Sequence, residues 1–389
     1  MWFLRVAFLF FFVLLLASEG RGQVREGDLF FFRDDMERDS LRHAVQRSLE
    51  FLARVPPDRF VGERPRQFTA QEIRESLLSF LNLLDLWDQP ERFVEEIRSR
   101  FDLYQAVGDA EERDILFTGY YQPVVEGSLT ETAEYSFPVY RKPDDLVEVE
   151  LGNFSPEFRR EKVVGRLEGG RLVPYYSRRE IDGSGRLKGR GYEIAWVKDP
   201  VDLFFLHIQG SGLIRLQDGR QLSLNYAASN GRPYTSIGRL LIDGGKITEE
   251  EVSMPRLRRY LTEHPEERDA LFAKNESYIF FRLVNNGPLG SLEVPLTPGR
   301  SMAMDSRLFP KGALALVVSR KPILGSDGSL AGWQPFSRFV LNQDTGSAIR
   351  GPRRADLYFG SGPEAGLAAG FMKSRGMVYF LLRKQEKPR

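Results

Sequence analysis

The chain contains no cysteine and only three histidines among its 389 residues. Without cysteine it can form no disulfide, use no thiol nucleophile, bind no metal through cysteine and carry no lipid on a cysteine behind an export signal. Three scattered histidines are too few to favour a metal centre or a Ser-His-Asp triad. We therefore expect no metal or other cofactor, and chemistry that depends on carboxylates.

An excess of charge of either sign is also missing. Lys and Arg total 55 against 54 Asp and Glu, which gives a formal net charge of +1. This balance argues against a nucleic-acid partner and fits a neutral ligand better. The composition, 42% hydrophobic and 28% charged, is that of a soluble globular protein with one large or two modest cores. A monomer is the simplest expectation.

The one long apolar run lies at the N-terminus. It extends from Val6 to Ala17, follows the single basic residue Arg5, and ends in small and polar residues. About a dozen residues is shorter than the roughly 20 that cross a bilayer as a helix. We predict that residues 1–22 form a cleaved export signal; the alternative is an uncleaved membrane anchor.

Residues 35–107 show the spacing of helices. Their apolar side chains recur at three- and four-residue steps, as at Leu41 and Val45. Proline pairs and turns near Pro56 and Pro90 interrupt the pattern. The sequence therefore predicts three helices that pack through their apolar faces.

From Leu116 onward, short runs of Val, Ile, Phe and Tyr alternate with glycine and proline, which is typical of strands. The clearest hairpin spans residues 213–226, where an Asp-Gly pair predicts a type I′ turn. Residues 248–275 read as a helical connector. The last body, residues 278–382, is predicted to be a mostly β barrel with one or two short helices, because closure removes exposed edges.

Three aspartates of the last body lie beside turn glycines: Asp305 in SMAMDSRLFPKG, Asp344 in QDTGSAIRG and Asp356 in RRADLYFG. A carboxyl group donates a proton at neutral pH only when its environment raises its pKa. The apolar neighbours of Asp356 predict such a raised pKa, and the polar neighbours of Asp344 predict an ionised group. Aspartates beside glycine are also common turn caps, so residue types alone leave both interpretations open.

Two other stretches offer groups that could bind a ligand. HIQGSG, residues 207–212, follows an apolar segment interpreted as a strand, and its glycines would let a ligand approach the backbone. TGYYQP, residues 118–123, places aromatic rings at a strand end, where they suit sugars. Both stretches also fit ordinary turns and packing. The predicted substrate-binding residues are Tyr120, Tyr121, Gln122, His207, Gln209, Gly210, Ser211, Gly212 and Asp305.

The ordered stretches FTGYYQP, RGYEIAWVKDPVDLFFLHIQGSG, LNYAASNGRPYTSIG, SMAMD and QDTGSAIRG, followed by ADLYFGSGPEAGLAAG, resemble the membrane-bound lytic transglycosylase A family, which cleaves bacterial peptidoglycan. The resemblance covers most of residues 115–383. It implies a mainly β fold, a double-psi β-barrel with a second β-rich domain inserted into it, plus N-terminal helices. The implied parts are an export signal (1–22), a helical part packing on the barrel (23–115), an inserted β-rich domain (116–277) and a terminal three-aspartate barrel module (278–383).

The resemblance also implies a reaction. Asp356 matches the family's catalytic aspartate, while Asp344 and Asp305 match the other two acids as supporting groups. Protonated Asp356 would protonate the oxygen between N-acetylmuramic acid and N-acetylglucosamine, and then accept the proton of the muramic 6-hydroxyl as that group closes a 1,6-anhydro ring. Water is not the nucleophile, so a second catalytic carboxylate is not strictly required.

Two alternatives stay open at this point. One is a peptidoglycan hydrolase in which Asp344 or Asp305 activates water, and the other is a peptidoglycan-binding scaffold without activity. The implied partner in each case is the glycan strand, and contacts with cell-wall synthesis or division proteins are left open. Because the chain has no cysteine for a lipid anchor, we expect a soluble or signal-anchored periplasmic protein.

Overall fold

A computed structural model describes residues 31–106, 114–158, 161–346 and 348–385. The predicted export signal lies outside the described residues. Within the described part of the chain, no helix is both long enough and apolar enough to cross a membrane.

Strands and helices are numbered in chain order. The N-terminal part contains α1 (Arg38–Leu52), β1 (Phe60–Gly62), β2 (Phe68–Thr69), α2 (Ala70–Leu83), α3 (Pro90–Arg100) and β3 (Phe101–Gln105). The middle part contains β4 (Ile115–Gln122), β5 (Val124–Ser128), β6 (Phe137–Tyr140), β7 (Val147–Glu150), β8 (Lys162–Glu168), β9 (Arg171–Pro174), β10 (Glu193–Val197), α4 (Pro200–Gln209), β11 (Ser211–Leu216), β12 (Gln221–Ser229), α5 (Ile237–Asp243), α6 (Met254–Glu263), α7 (Pro265–Lys274) and β13 (Ile279–Val284). The last part contains β14 (Ser301–Ala303), β15 (Leu314–Leu324), β16 (Leu330–Asp344), β17 (Arg354–Ser361), α8 (Gly362–Phe371) and β18 (Lys373–Arg383).

Six strands close a barrel in the order β15-β16-β14-β17-β4-β18, and β18 pairs back with β15. The pairs β14–β16 and β17–β4 are parallel, and the other pairs in the ring are antiparallel. Closure leaves the ring without a free edge. The predicted mainly β class with a barrel and a second β-rich body is confirmed.

The second β-rich body is inserted between two barrel strands. β4 runs through Pro123 directly into β5, which belongs to a sheet of order β13-β12-β11-β5-β10-β6, and β7, β8 and β9 form a small separate sheet. Strand pairing places the crossings between the bodies after Gln122 and after Val284, whereas the boundaries expected from the sequence were at residues 116 and 278. The strands on either side of a crossing show the same local pattern of apolar residues, glycine and proline. The sequence pattern alone therefore does not locate the crossing.

The N-terminal helices share one apolar core with the barrel. Phe80 of α2 and Phe93 of α3 contact Phe339 of β16, with ring centroids 5.1 and 6.0 Å apart. β3 extends the barrel wall by pairing with β18. In the second body, Leu203 and Leu206 of α4 pack in the apolar core of the sheet, and Phe204 of α4 stacks on Phe272 of α7 at 4.3 Å.

Two local predictions were wrong. The segment before GSG is the helix α4, not a strand: Asp199 caps its N-terminus and Gly210, in the left-handed conformation, ends it. Its apolar run is buried, so it shows no one-sided stripe that would reveal a helix. The hairpin β11–β12 is confirmed, but only Gly219 of its Asp-Gly pair has a positive φ, which excludes a type I′ turn.

Candidate active site

The short strand β14 brings two of the predicted acids into one row. Ala303 lies opposite Asp344 of β16 on one side and opposite Asp356 of β17 on the other. Two strand spacings separate the Cα atoms of the two aspartates by about 10 Å. Thr118 of β4 continues the row beside Asp356. We call Asp344, Ala303, Asp356 and Thr118 the aspartate row.

The aspartate row lies on the outer face of the barrel wall. The residues next to the row along three of its strands belong to the apolar core. They are Phe117, Met302 and Leu357, and each is at most 1% exposed. Successive side chains of a strand point to opposite faces of the sheet. The row residues therefore point away from the barrel interior.

A β-bulge decides which residue of β16 joins the row. The pairing of β16 with β14 skips one residue, so Gln343 stays unpaired and Ala303 lies opposite Asp344. The Gln343 side chain is fully buried, and its Nε2 donates hydrogen bonds to the Ala44 carbonyl and the Ser48 hydroxyl of α1. Because of the bulge, the Asp344 carboxylate lies on the outer face and the Gln343 amide contacts α1.

Asp356 has a raised pKa and two polar neighbours. Thr118 Oγ1 donates a hydrogen bond to Asp356 Oδ1, while Arg354 Nη2 donates to Thr118 Oγ1 at 3.0 Å and lies 3.5 Å from Asp356 Oδ1. Burial raises the pKa of Asp356, and the contacts with Thr118 and Arg354 only partly oppose this effect. Its side chain keeps 18% of its surface exposed, so the carboxyl group can reach a ligand.

Asp344 has a raised pKa as well, which contradicts the prediction of an ordinary ionised carboxylate. Its Oδ1 accepts hydrogen bonds from the Thr345 and Ser291 amides at 2.8 and 2.9 Å, and its Oδ2 accepts one from the Tyr120 hydroxyl at 3.1 Å. Burial nevertheless raises the pKa of Asp344 to about 6, with a further contribution from the charge of Asp356. The enclosure by distant segments, which local polarity does not reveal, explains the difference.

Three tyrosines surround the row. Tyr120 and Tyr358 follow Thr118 and Asp356 by two residues, so they share the outer face, and their ring centroids are 5.2 Å apart. Tyr234 comes from a loop of the second body. Burial raises the pKa of Tyr234, and its environment includes the charges of Arg354 and Asp356. The second body therefore faces the row at this loop.

Of the residues at this site, the sequence analysis named the two aspartates and Tyr120. Besides Thr345, the direct neighbour of Asp344, five polar and aromatic residues contact or face them and were missed: Thr118, Arg354, Tyr358, Tyr234 and Ser291. The first three stand within two residues of a named site residue, so the period of a strand could have suggested them. The last two come from distant loops and carried no such signal.

The predicted ligand residues Tyr121, Gln122 and Gln209 lie where the chain crosses between the two bodies. The Tyr121 amide donates to Gln209 Oε1 at 3.0 Å, and Gln122 Oε1 accepts a hydrogen bond from the Ser361 hydroxyl at 2.7 Å. Tyr121 and Gln122 are 8% and 1% exposed. The contact of Tyr121 with Gln209 joins the barrel to α4 of the second body, and the contact of Gln122 with Ser361 joins two barrel strands at the crossing.

The glycine-serine stretch after α4 also differs from the prediction of a ligand loop. Gly210 ends α4, Ser211 is 8% exposed at the start of β11, and Gly212 packs so closely on α4 that a Cβ there would lie 2.2 Å from Leu206 Cδ1. The glycines serve the turn from helix to strand. None of the three residues belongs to the aspartate row.

His207 is buried in the second body, where it does not line the row. It is 4% exposed, its Nδ1 lies 3.0 Å from Arg178 Nη1, and its ring packs on Tyr278 at 4.2 Å. Burial lowers the pKa of His207 well below its ordinary value of 6.5, and the charge of Arg178 lowers it further. The imidazole is therefore neutral in the folded protein.

We expect His207 to make the fold acid-sensitive. Below about pH 6.5 the unfolded chain gains a proton at His207 that the folded chain does not bind, so stability is lost as the pH falls. Acidification from about pH 7.5 to about pH 5.5 should lower the free energy of unfolding of the wild type by about 1 kcal/mol more than that of His207→Gln. Urea unfolding at both pH values measures this, and equal losses in the two proteins would contradict it.

Asp305, predicted to bind substrate, is only 1% exposed. Its Oδ2 accepts hydrogen bonds from Arg307 Nη2 at 2.6 Å and from the Gly351 amide at 2.8 Å, and its Oδ1 accepts one from Arg307 Nε at 2.9 Å. Burial opposes ionisation, but these hydrogen bonds lower the pKa of Asp305 to about 2. Both oxygens of the Asp305 carboxylate are thus engaged, by Arg307 and by the loop that joins the other two aspartates. The carboxylate therefore anchors that loop.

Within the described residues, one group of side chains can bring three metal-ligand atoms together: His264, Glu266 and Glu267. It lies at the junction of α6 and α7, and Glu267 already accepts hydrogen bonds from Lys246 and Tyr260, each at 2.8 Å. The group has no residue in common with the aspartate row. The groups of the aspartate row that can take part in a reaction are its two carboxyl groups and the hydroxyl and guanidinium groups that contact them.

Two family models match the chain: the MltA specific insert domain at residues 116–282 and the 3D domain at residues 300–382. The membrane-bound lytic murein transglycosylase A of Escherichia coli (strain K12) is 34% identical over 283 residues, which are 72% of this chain and 69% of that protein. The protein of the same name from Vibrio cholerae is 30% identical over 280 residues, 71% of this chain and 68% of that one.

Solved structures are similar over almost the whole chain. A membrane-bound lytic murein transglycosylase from Agrobacterium tumefaciens has a TM-score of 0.72 and 33% identity, covering 90% of this chain and 93% of that one. E. coli MltA with bound chitohexaose has a TM-score of 0.69 and 27% identity, covering 90% and 91%. The similarity includes both the barrel and the inserted body.

Proposed function

Because the chain belongs to the membrane-bound lytic murein transglycosylase A family, we propose that it is a peptidoglycan lytic transglycosylase. Its substrate is the β-1,4 bond between N-acetylmuramic acid and N-acetylglucosamine. The observation that carries the proposal is the state of Asp356: a carboxyl with a raised pKa, held through one oxygen on an outer barrel face that is ringed by tyrosines. Such a group holds its proton to a higher pH than an ordinary aspartate does, and it can give that proton up to a leaving oxygen.

The reaction needs one acid that later acts as a base. Thr118 and Arg354 both contact Oδ1 of Asp356, which leaves Oδ2 to carry the transferred proton. That proton goes to the departing oxygen of N-acetylglucosamine while positive charge develops on the muramic ring. The carboxylate then takes the proton of the muramic 6-hydroxyl, whose oxygen bonds to the anomeric carbon. Atoms balance without water, and the product ends in a 1,6-anhydro ring.

We assign supporting roles to the other two aspartates. The Asp344 carboxylate, oriented by the Ser291 amide and the Tyr120 hydroxyl, stabilises the developing positive charge. Asp305 positions the loop that joins Asp344 to Asp356 through its bond to Gly351. The rings of Tyr120, Tyr234 and Tyr358 provide faces on which sugars can stack.

The masses of the products test the proposal. Purified sacculi are incubated with the mature chain and the released muropeptides are weighed. Anhydro-muramic ends, lighter by one water than reducing ends, are the expected result. Reducing ends would identify a hydrolase instead, and binding to sacculi without release would identify a scaffold.

The pH dependence of the rate should show the pKa of Asp344. As the pH falls below about 6, Asp344 gains a proton and loses the charge that stabilises the transition state, so the rate should fall. In Asp344→Asn the acidic limb should disappear and the maximal rate should drop by about tenfold to a hundredfold. Measuring kcat/KM across the pH range checks this; an unchanged acidic limb would exclude Asp344 as its source.

We also propose that the chain acts in the periplasm. The support is the apolar run from Val6 to Ala17 that follows Arg5, together with a substrate that lies outside the cytoplasmic membrane. The run can deliver the chain either as a cleaved signal or as a signal anchor. A monomer suffices for the chemistry, because the aspartate row is built from one chain.

A further inference from the structure

Helix α1 and Arg54, two residues beyond its end, contact two segments that hold Asp344, although they are remote from it in the sequence. We propose that α1 and Arg54 are positioning elements of the candidate active site. They hold the β-bulge at Gln343 and a turn at Ser291, and these two segments orient the Asp344 carboxylate. The inference rests on the proposed function, in which that carboxylate stabilises the transition state.

The first segment is the β-bulge of β16. Gln343 is fully buried, and its Nε2 donates to the Ala44 carbonyl at 2.9 Å and to the Ser48 hydroxyl at 3.0 Å. Its Oε1 accepts a hydrogen bond from the Ser301 hydroxyl at 2.6 Å. Two of these three partners are on α1. Because Asp344 is the next residue, α1 holds the backbone at the point where β16 turns this carboxylate to the outer face.

The second segment is the turn formed by residues 290–294, which we call the Ser291 turn. The Ser291 amide donates to Asp344 Oδ1 at 2.9 Å. Arg54 Nη2 donates to the Leu292 carbonyl at 2.9 Å and to the Glu293 carbonyl at 3.4 Å. These two carbonyls directly follow Ser291 in the chain. Arg54 therefore holds the turn beside the amide that contacts Asp344.

The Ser291 turn contains a strained residue. Glu293 has a φ of 56°, in the left-handed region, which costs free energy for any residue other than glycine. Two hydrogen bonds close the turn, from the Gly290 amide to the Val294 carbonyl at 3.0 Å and from the Glu293 amide to the Gly290 carbonyl at 2.9 Å. Arg282 of β13 donates a hydrogen bond to the Glu293 carboxylate. Arg54 and Arg282 thus support a conformation that Glu293 alone disfavours.

The position of the turn affects the charge of Asp344. Burial raises the pKa of Asp344 to about 6, and the hydrogen bonds from the Thr345 and Ser291 amides oppose this rise. Titratable side chains that interact with Asp344 come from barrel strands: Tyr120, Tyr358 and Asp356. The contacts of α1 and Arg54 act instead on the backbone. If the turn moves away, Asp344 loses an amide donor and its pKa should rise.

The test is the pH dependence of kcat/KM for release of anhydro-muropeptides by the double variant Ser48→Ala/Arg54→Met. Its acidic limb should move up from about pH 6 by about 0.5 to 1 pH unit, because the carboxylate is held by weaker hydrogen bonds. The loss of rate should be largest near about pH 6 and small near about pH 8. Arg54→Lys, which keeps a donor that can reach a carbonyl, should show a smaller shift than Arg54→Met.

Two further variants of α1 separate positioning from stability. Val45→Ala removes part of the buried apolar face of α1, so it should lower the unfolding temperature and leave the acidic limb in place. Arg47→Met removes an arginine that pairs with Glu50, and should behave as the wild type. The proposal is overturned by a double variant whose acidic limb stays near about pH 6, or by an equal shift in Val45→Ala.

Titration of Asp344 without substrate keeps this inference separate from the proposed function. The carboxyl ¹³C signal of Asp344, in protein labelled at aspartate Cγ and assigned by its loss in Asp344→Asn, gives the pKa directly. If the wild type releases no anhydro product, the proposed function fails. A pKa of Asp344 that rises in the double variant still supports positioning by α1 and Arg54, and an unchanged pKa contradicts it.

Discussion

Replacement of Asp356 by asparagine should lower the release of anhydro-muropeptides from sacculi by about 10²-fold to 10⁴-fold, the range that one general acid contributes. Asparagine keeps the shape of the side chain and can still accept the Thr118 hydrogen bond. It cannot give a proton to the leaving oxygen or take one from the 6-hydroxyl. The rate of product release, followed by mass spectrometry, measures the effect.

The control for this experiment is Asp218→Asn, at the tip of the β11–β12 hairpin and remote in sequence and sheet from the aspartate row. It should retain the wild-type rate. The Asp356→Asn protein should also sediment with sacculi and unfold at a similar temperature, because only the proton is removed. Activity within a few-fold of the wild type would show that another group is the acid, with Asp344 the first to examine.

Replacement of Asp34 by alanine should lower the free energy of unfolding by about 3–5 kcal/mol, the usual effect of leaving a buried charge without its partner. Arg300 is fully buried, and its Nη1 donates to Asp34 Oδ2 at 2.6 Å. Asp34 also accepts hydrogen bonds from the Phe339 amide at 2.7 Å and the Met36 amide at 2.8 Å. The pair attaches the segment before α1 to the barrel strand β16. Urea unfolding followed by circular dichroism gives the value.

Two variants make this prediction specific. Asp39→Ala removes a carboxylate of α1 that is 76% exposed, and should change stability by no more than about 0.5 kcal/mol. Asp34→Leu/Arg300→Met removes both charges and should be more stable than Asp34→Ala, because no unpaired charge remains in the interior. A loss below about 1 kcal/mol for Asp34→Ala would mean that water reaches Arg300.

The link between the two bodies reaches the candidate active site directly. The segment that returns from β13 to the barrel passes so close to β16 that a Cβ at Gly290 would lie 2.5 Å from the Gln343 carbonyl oxygen. The next residue, Ser291, donates its amide to Asp344. The orientation of the supporting carboxylate therefore depends on how the inserted body is attached.

Features that depend on local period and residue type could be predicted from the sequence. Prolines and apolar spacing predicted α1, α2 and α3, and alternation predicted the hairpin β11–β12. The motifs around Asp344 and Asp356 identified both acids, and the apolar neighbours of Asp356 agreed with its raised pKa. Each of these properties depends on a few neighbouring residues. It can therefore be predicted without knowing which distant segments pack against those residues.

Which groups meet depends on long-range packing, which no local pattern reveals. Thr118 lies beside Asp356 through a parallel pairing between residues 238 apart in the chain, and the bulge at Gln343 selects Asp344 for the row. The same long-range packing places Arg178 against His207 and the Gly351 amide against Asp305, so both side chains have partners within the protein. Register and enclosure depend on contacts between distant segments, and a local pattern specifies the period of a strand but not the strand beside it.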